Sequence, residues 1–149
     1  MVQLTPVHAA IDALGRNPLR HIVLLKQLLA YPEHVRVHRV AGPEGAATLV
    51  ALDTSASPYD RQAYPGAVLA AFIASDHPDL TAALLSYLPA SDVRQGAGIV
   101  FKLSSDADLA PVEARFPVVR RTALDLHGRN LSAALSARSS RRPWAVPHP

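Results

Sequence analysis

From residue 5 to residue 124 the apolar positions alternate between helical and extended spacing. Thr5-Pro6 followed by "VHAAIDAL" and Gly15 gives a capping residue, a proline suited to a first turn and a glycine stop, which predicts a short helix. Asn17-Pro18 opens a second helix, "LRHIVLLKQLLA". In it Leu19, Ile22, Val23, Leu25, Lys26 and Leu29 share helical spacing, and so broad an apolar face predicts deep packing. Tyr31-Pro32 ends it, because the residue before proline avoids helical angles.

A β-hairpin is expected next, from "HVRVHRV" through the turn "AGPEGA" into "ATLVALD". Val35 and Val37 alternate with Arg36 and His38, which predicts one wet face. The polar link "TSASPYDRQAYPG" leads to "AVLAAFIAS", whose unbroken apolar run predicts a central strand covered on both sides. The helix "PDLTAALLSYL", the loop "PASDVRQGAG", the strand "IVFKLS", a short helix in "DADLAPVEARF" and the strand "PVVRRTALDL" complete the order. Three antiparallel strands thus pass into a strand–helix–strand crossover, whose two strands must be parallel. The expected fold class is α/β: a mixed sheet in a three-layer domain.

Charge divides the chain in two. Residues 1–126 carry eleven Lys and Arg against twelve Asp and Glu, so the net charge of +3 belongs to residues 127–149, where Arg129, Arg138, Arg141 and Arg142 stand without an acid. One domain over 1–126 and a basic, proline-rich, partly ordered extension over 127–149 are expected. A nearly neutral body is not that of a general nucleic-acid binder; any such role would fall to Arg138, Arg141 and Arg142 of the tail. The chain has no cysteine, which excludes disulfides, thiolate ligands and a thiol nucleophile. With no signal-like start and no apolar run of membrane-spanning length, a cytoplasmic protein is expected.

Over roughly residues 5–124 this order and these lengths of elements resemble the GNAT acyltransferase superfamily. "NPLRHIVLLKQLLAYPE" is similar to its second helix, "AVLAAFIAS" to its fourth strand and "PDLTAALLSYL" to the helix that follows. The likeness is greatest to the N-terminal half of two-lobed relatives, where only the other half binds cofactor. The resemblance implies a splayed strand pair and a cleft beside residues 67–74 and 98–103. It also implies acetyl-CoA or another acyl-CoA as cofactor, held by a Gln/Arg-x-x-Gly-x-Gly/Ala loop whose N–H groups cradle the pyrophosphate.

Here the corresponding corner is "SDHPD", residues 75–79. Asp76 and Asp79 would set negative charge beside two phosphates, Pro78 lacks an N–H, and no glycine allows close approach. The corner reads instead as a helix start, with Asp76 as cap, Pro78 in the first turn and Asp79 at the positive dipole end. The competing reading gives Asp76 or His77 a site role. "RQGAG" is one residue short of the signature and precedes a strand; it reads as a connection, or else as an anion site of Arg94, Gly96 and Gly98. The family's late tyrosine acid has no counterpart, since the last tyrosine is Tyr87.

Tyr59, Asp60, Arg61 and Tyr64 form the most suggestive polar segment. They read as a solvated loop with Asp60 against Arg61, or as a pocket for a polar or charged small ligand. His34 and His38 have no acidic partner at metal-ligand spacing, and His21 reads as a hydrogen-bonded, half-buried histidine. No Gly-x-Ser-x-Gly elbow, Walker loop or His-Glu-x-x-His helix occurs. The leading expectation is a GNAT-like domain without the pyrophosphate loop and without a cofactor, acting as a non-catalytic module that binds another protein or itself as a homodimer. The alternatives are an acyl-CoA-dependent N-acyltransferase with a divergent loop and a nucleic-acid accessory protein using the arginine tail.

Overall fold

Alternation along the central strands sends one set of side chains to each side of a single sheet, and each side is roofed by helices. The computed structural model describes residues 1–88, 98–116, 118–126 and 130–138, the last two segments as backbone strands. In chain order the elements are β1 (Gln3–Thr5), α1 (Val7–Leu14), α2 (Ile22–Ala30), β2 (Val35–Gly42), β3 (Gly45–Asp53), α3 (Pro58–Ala63) and β4 (Ala67–Ser75). They continue with α4 (Pro78–Leu85), β5 (Gly98–Leu103), α5 (Leu109–Arg115), β6 (Val118–Leu126) and β7 (Asn130–Arg138), and short 3-10 turns precede α3 and α5. The seven strands lie in the order β1-β2-β3-β4-β5-β7-β6. Every neighbouring pair is antiparallel except β4–β5. The fold is the mixed-sheet α/β class expected.

On one side, Val37, Val50, Leu52, Ala70, Phe72 and Val100 pack against Ala10 and Leu14 of α1 and Leu24 and Leu28 of α2. On the other, Leu49, Ala71, Ile73, Ile99, Phe101 and Leu103 pack against Leu80, Leu84 and Leu85 of α4 and Val112 of α5. "AVLAAFIAS" is buried from both sides, as its apolar run requires: within it only Val68 is well exposed and Ser75 partly so. Fully burying a large aliphatic side chain contributes about 1.5–3 kcal/mol, so these two layers supply most of the drive to fold.

Four expectations are corrected. The deep face of α2 is Leu24, Gln27 and Leu28, whereas Leu19, Ile22 and Leu29 stand 85%, 59% and 67% exposed. The helix is apolar nearly all round, so periodicity alone did not identify the inward side. On the face of the hairpin expected to be wet, Arg36 is exposed, whereas His38 is half-buried with its ring 5.5 Å from that of Tyr87 just beyond α4. Residues 130–138, assigned to the extension, form β7 and pair with both β5 and β6. Residues 58–63 are the helix α3, not a loop.

The β2–β3 turn is two residues long, with Gly42 opposite Gly45. Gly45 has φ of +124°, and a Cβ there would collide with the side chain of Asp76. Both facts demand glycine. Gly45→Ala is therefore expected to cost about 3 kcal/mol in urea unfolding, and visibly less in an Asp76→Gly background, where the colliding side chain is gone and the positive φ remains.

Candidate functional site

The corner between β4 and α4 is the first place to look for a bound anion, since a helix N-terminus presents free N–H groups. Its donors can be followed one by one. Asp76 N–H donates to Ala46 O at 3.0 Å, and His77 N–H to Ser75 Oγ at 3.2 Å. Pro78, at the first helical position, has none. Asp79 N–H donates to His77 Nδ1 at 3.1 Å, and the N–H groups of Leu80 and Thr81 reach His77 O at 3.0 and 3.2 Å. No backbone donor from 76 to 81 is left over.

The cap of α4 is thus the imidazole of His77, not Asp76, which corrects the expected role of Asp76; Pro78 and Asp79 sit as expected in the first turn. Asp76 points back across the sheet. Its Oδ2 accepts Ala46 N–H at 2.8 Å, and its Oδ1 accepts from Arg20 Nη2, just ahead of α2. The Ala46 N–H, then the Arg20 guanidinium, hold the Asp76 carboxyl below the usual carboxylate range. One carboxylate joins the end of β4, the β2–β3 turn and the approach to α2.

The adjoining strands leave no slot. β4 and β5 stay paired from Ala67↔Gly98 to Ile73↔Leu103, with one register shift between Ala67 and Leu69. Beyond the last pair, Ser104 donates both its N–H and its Oγ–H to Ile73 O, at 3.1 and 3.0 Å. The strand splay expected beside 67–74 and 98–103 is absent from Ala67 to Ile73, where the ladder holds apart from that one shift. Gly98, the described member of the "RQGAG" candidate, opens β5 and gives its N–H to Gly66 O at 2.8 Å; Arg94 and Gly96 lie outside the described residues. Family models, curated proteins and solved structures offer no match to this chain.

The second candidate is the Tyr59–Tyr64 segment, which proves to be a cation site already filled. Ser57 caps α3 through its Oγ and donates that hydroxyl to Asp60 Oδ2 at 2.7 Å. Asp60, 2% exposed, turns inward from α3 and its Oδ1 meets Lys102 Nζ of β5 at 2.6 Å. The same ammonium lies 5.1, 5.4 and 5.0 Å from the ring centroids of Tyr59, Tyr64 and Phe72. These distances are within cation–π range. Arg61 is exposed and takes no part in the ion pair expected with Asp60. The structure therefore brings Tyr59, Asp60 and Tyr64 together, leaves Arg61 outside, and adds Lys102, Phe72 and Ser57. Two signals pointed to this: a single lysine inside the apolar "IVFKLS", and the Ser57-Pro-Tyr-Asp60 spacing of a capping box.

Two buried polar atoms lack partners among the described residues, His38 Nδ1 and Asp108 Oδ2. Burial, with the Arg36 charge adding to it, lowers the His38 pKa. Burial raises that of Asp108, which accepts a hydrogen bond from Thr81 Oγ1 of α4. His21 is half-buried with Nδ1 3.2 Å from Leu14 O, as expected. Among the described residues no three His, Cys, Asp or Glu groups converge as a metal site, and no helix is long and apolar enough to cross a membrane. Arg138 is the last residue of β7, while Arg141 and Arg142 lie outside the described residues.

Removing one member of a buried ion pair strands the other, so Asp60→Ala should cost about 3 kcal/mol. Asp60→Ala with Lys102→Met should cost less than the two single changes added, measured as a denaturation double-mutant cycle. Asp76 sets a pH dependence. Its folded pKa is below the unfolded one, so its contribution is full above the ordinary carboxylate range and fades as pH falls through the folded value. The stability gap between the native chain and Asp76→Asn, on the order of 1 kcal/mol at neutral pH, should therefore shrink on acidification below about pH 4.

Proposed function

We propose that this chain is a GNAT-like domain without a working acyl-CoA pyrophosphate site, acting as a non-catalytic binding or interaction module. The order of helices and strands supports the likeness, as does the single parallel pair β4–β5 between antiparallel neighbours. The observation that carries the functional reading is the complete internal use of the backbone donors from Asp76 to Thr81. A pyrophosphate held at a helix start needs several free N–H groups and a favourable field. This corner offers neither. Its donors are bonded within the protein, and the carboxylates of Asp76 and Asp79 flank the place a phosphate would take. The pinning of Ser104 to Ile73 also denies an acyl chain entry between the strands.

The polar cluster around Lys102 fits the same reading. An ammonium balanced by a buried carboxylate and three rings is matched by its own surroundings, so it acts as a brace between α3 and the sheet.

Isothermal titration of the full chain with acetyl-CoA should give no saturable heat, and a melting scan should show no stabilisation. A ligand at a hundred times its dissociation constant adds about 2.7 kcal/mol, which a scan detects readily. Saturable binding at micromolar acetyl-CoA, lost on changing Arg94 or Gly96, would instead establish the divergent-loop acyltransferase.

A further inference from the structure

We propose that α2 is a self-association surface and that two copies of this chain pair through it, antiparallel, about a two-fold axis level with position 24. The starting point is the apolar face that the fold leaves outward. Leu19, Ile22 and Leu29 are each more than half exposed, and with Pro18, Lys26 and Ala30 they line a groove of about 580 Å³. Single exposed leucines are ordinary, but an aligned stripe of them is not. Pro18 and Leu19 lie in the turn that leads into α2, and the turn adjoins the helix through His21, whose N–H bonds Asn17 O and whose carbonyl accepts Leu25 N–H.

The occupant follows from the spacing. Leu19, Ile22, Lys26 and Leu29 are separated by three, four and three residues, the a/d spacing of a paired helix. That spacing reads the same in both directions. Reflection about position 24 exchanges Leu19 with Leu29, Ile22 with Lys26 and Pro18 with Ala30. An antiparallel second copy therefore sets leucine against leucine and lays the aliphatic stem of Lys26 along Ile22 of its partner. The two lysines never face one another, whereas a parallel arrangement would oppose them directly. A lone lysine in such a seam fixes register.

The ends agree. Arg16 precedes the helix and Glu33 follows it, both exposed. Antiparallel pairing brings Arg16 of each copy close to Glu33 of the other and opposes the two helix dipoles. A lipid surface would accept the leucines equally well, but it gives no account of the palindromic spacing or of Glu33. The proposal stands apart from the reading of the β4–α4 corner, since the surface shares no residue with it.

The patch covers a few hundred Å² on each copy, below the roughly 800 Å² per partner of a standard stable interface. The dimer should accordingly be weak and dependent on concentration. Sedimentation of the full chain is expected to show reversible dimerisation in the micromolar range. Leu19→Glu with Leu29→Glu should raise the dissociation constant by more than about tenfold with an unchanged melting temperature, because both side chains are exposed.

Register can be read independently, because the chain has no cysteine of its own. Leu19→Cys mixed with Leu29→Cys should form a disulfide dimer under mild oxidation. Each variant alone should form it far more slowly, since like positions lie about 15 Å apart along paired helices. A monomer at every concentration overturns the proposal, as does a dimer indifferent to the glutamate changes or one that cross-links Leu29→Cys to itself first. A monomer that instead co-sediments with phosphatidylglycerol-containing vesicles overturns it in favour of a lipid surface.

Discussion

The carboxylate of Asp76 is the constraint on which the arrangement of this fold depends. It lies at the end of the central strand β4, yet its hydrogen bonds reach the β2–β3 turn and the guanidinium of Arg20 ahead of α2. Its own N–H returns the bond to Ala46 O, so main chain and side chain grip the same residue. The grip requires Gly45 on two counts, a backbone at positive φ and a space that no Cβ can share with Asp76. The sheet, the turn and the first helical layer are thereby locked in one geometry. A helix N-terminus attracts anions, and here the anion beside it belongs to the protein. With Asp76 committed to the hairpin, His77 takes over the cap and consumes the donor at Asp79.

Lys102 plays a matching part on the neighbouring strand, where it pairs with Phe72 of β4. A lysine on the inner face of a covered sheet costs several kcal/mol unless its charge is met. Asp60, oriented by Ser57, meets it, and the rings of Tyr59, Tyr64 and Phe72 enclose the remaining hemisphere. The short helix α3 exists to deliver that carboxylate: six residues are too few to hold a helix by propensity alone. Its cap and its ion pair hold it. At the end of β4 and beside Phe72 within it, then, polar chemistry of the kind that marks binding sites is directed inward and satisfied there.

Much of this architecture could be read from the residues. Period-two and helical patterns placed nine helices and strands in the right order, and the long connection from β4 to β5 required a parallel pair. What escaped had local physical causes. "NLSAALSAR" carries no β-branched or aromatic residue, so β7 has little strand signal of its own and depends on the edges of β5 and β6. The buried side of α2 was ambiguous because only Lys26 and Gln27 interrupt its apolar surface, and Gln27 is buried while Lys26 is exposed. Of the four residues suspected of forming a pocket, Tyr59, Asp60 and Tyr64 converge around one side chain. Their ligand is Lys102, forty-two positions away from Asp60, a contact that no local pattern encodes.

These features together explain where the molecule meets others. A protein recognises small polar ligands through groups left unsatisfied in a concave place. At two places among the described residues where polar groups cluster, the corner and the α3 cluster, they are bonded to one another. Apolar surface is what the fold leaves outward on α2 and the turn before it, where apolar side chains are divided between the core and the exterior. The inner face, Leu24 and Leu28, is essentially inaccessible to solvent; the outer face, Leu19, Ile22 and Leu29, is as apolar and stands open. Covering those side chains requires no rearrangement of the sheet. The proposed association through apolar contact follows from that division, since it asks for no polar group that the fold has left unsatisfied at either place.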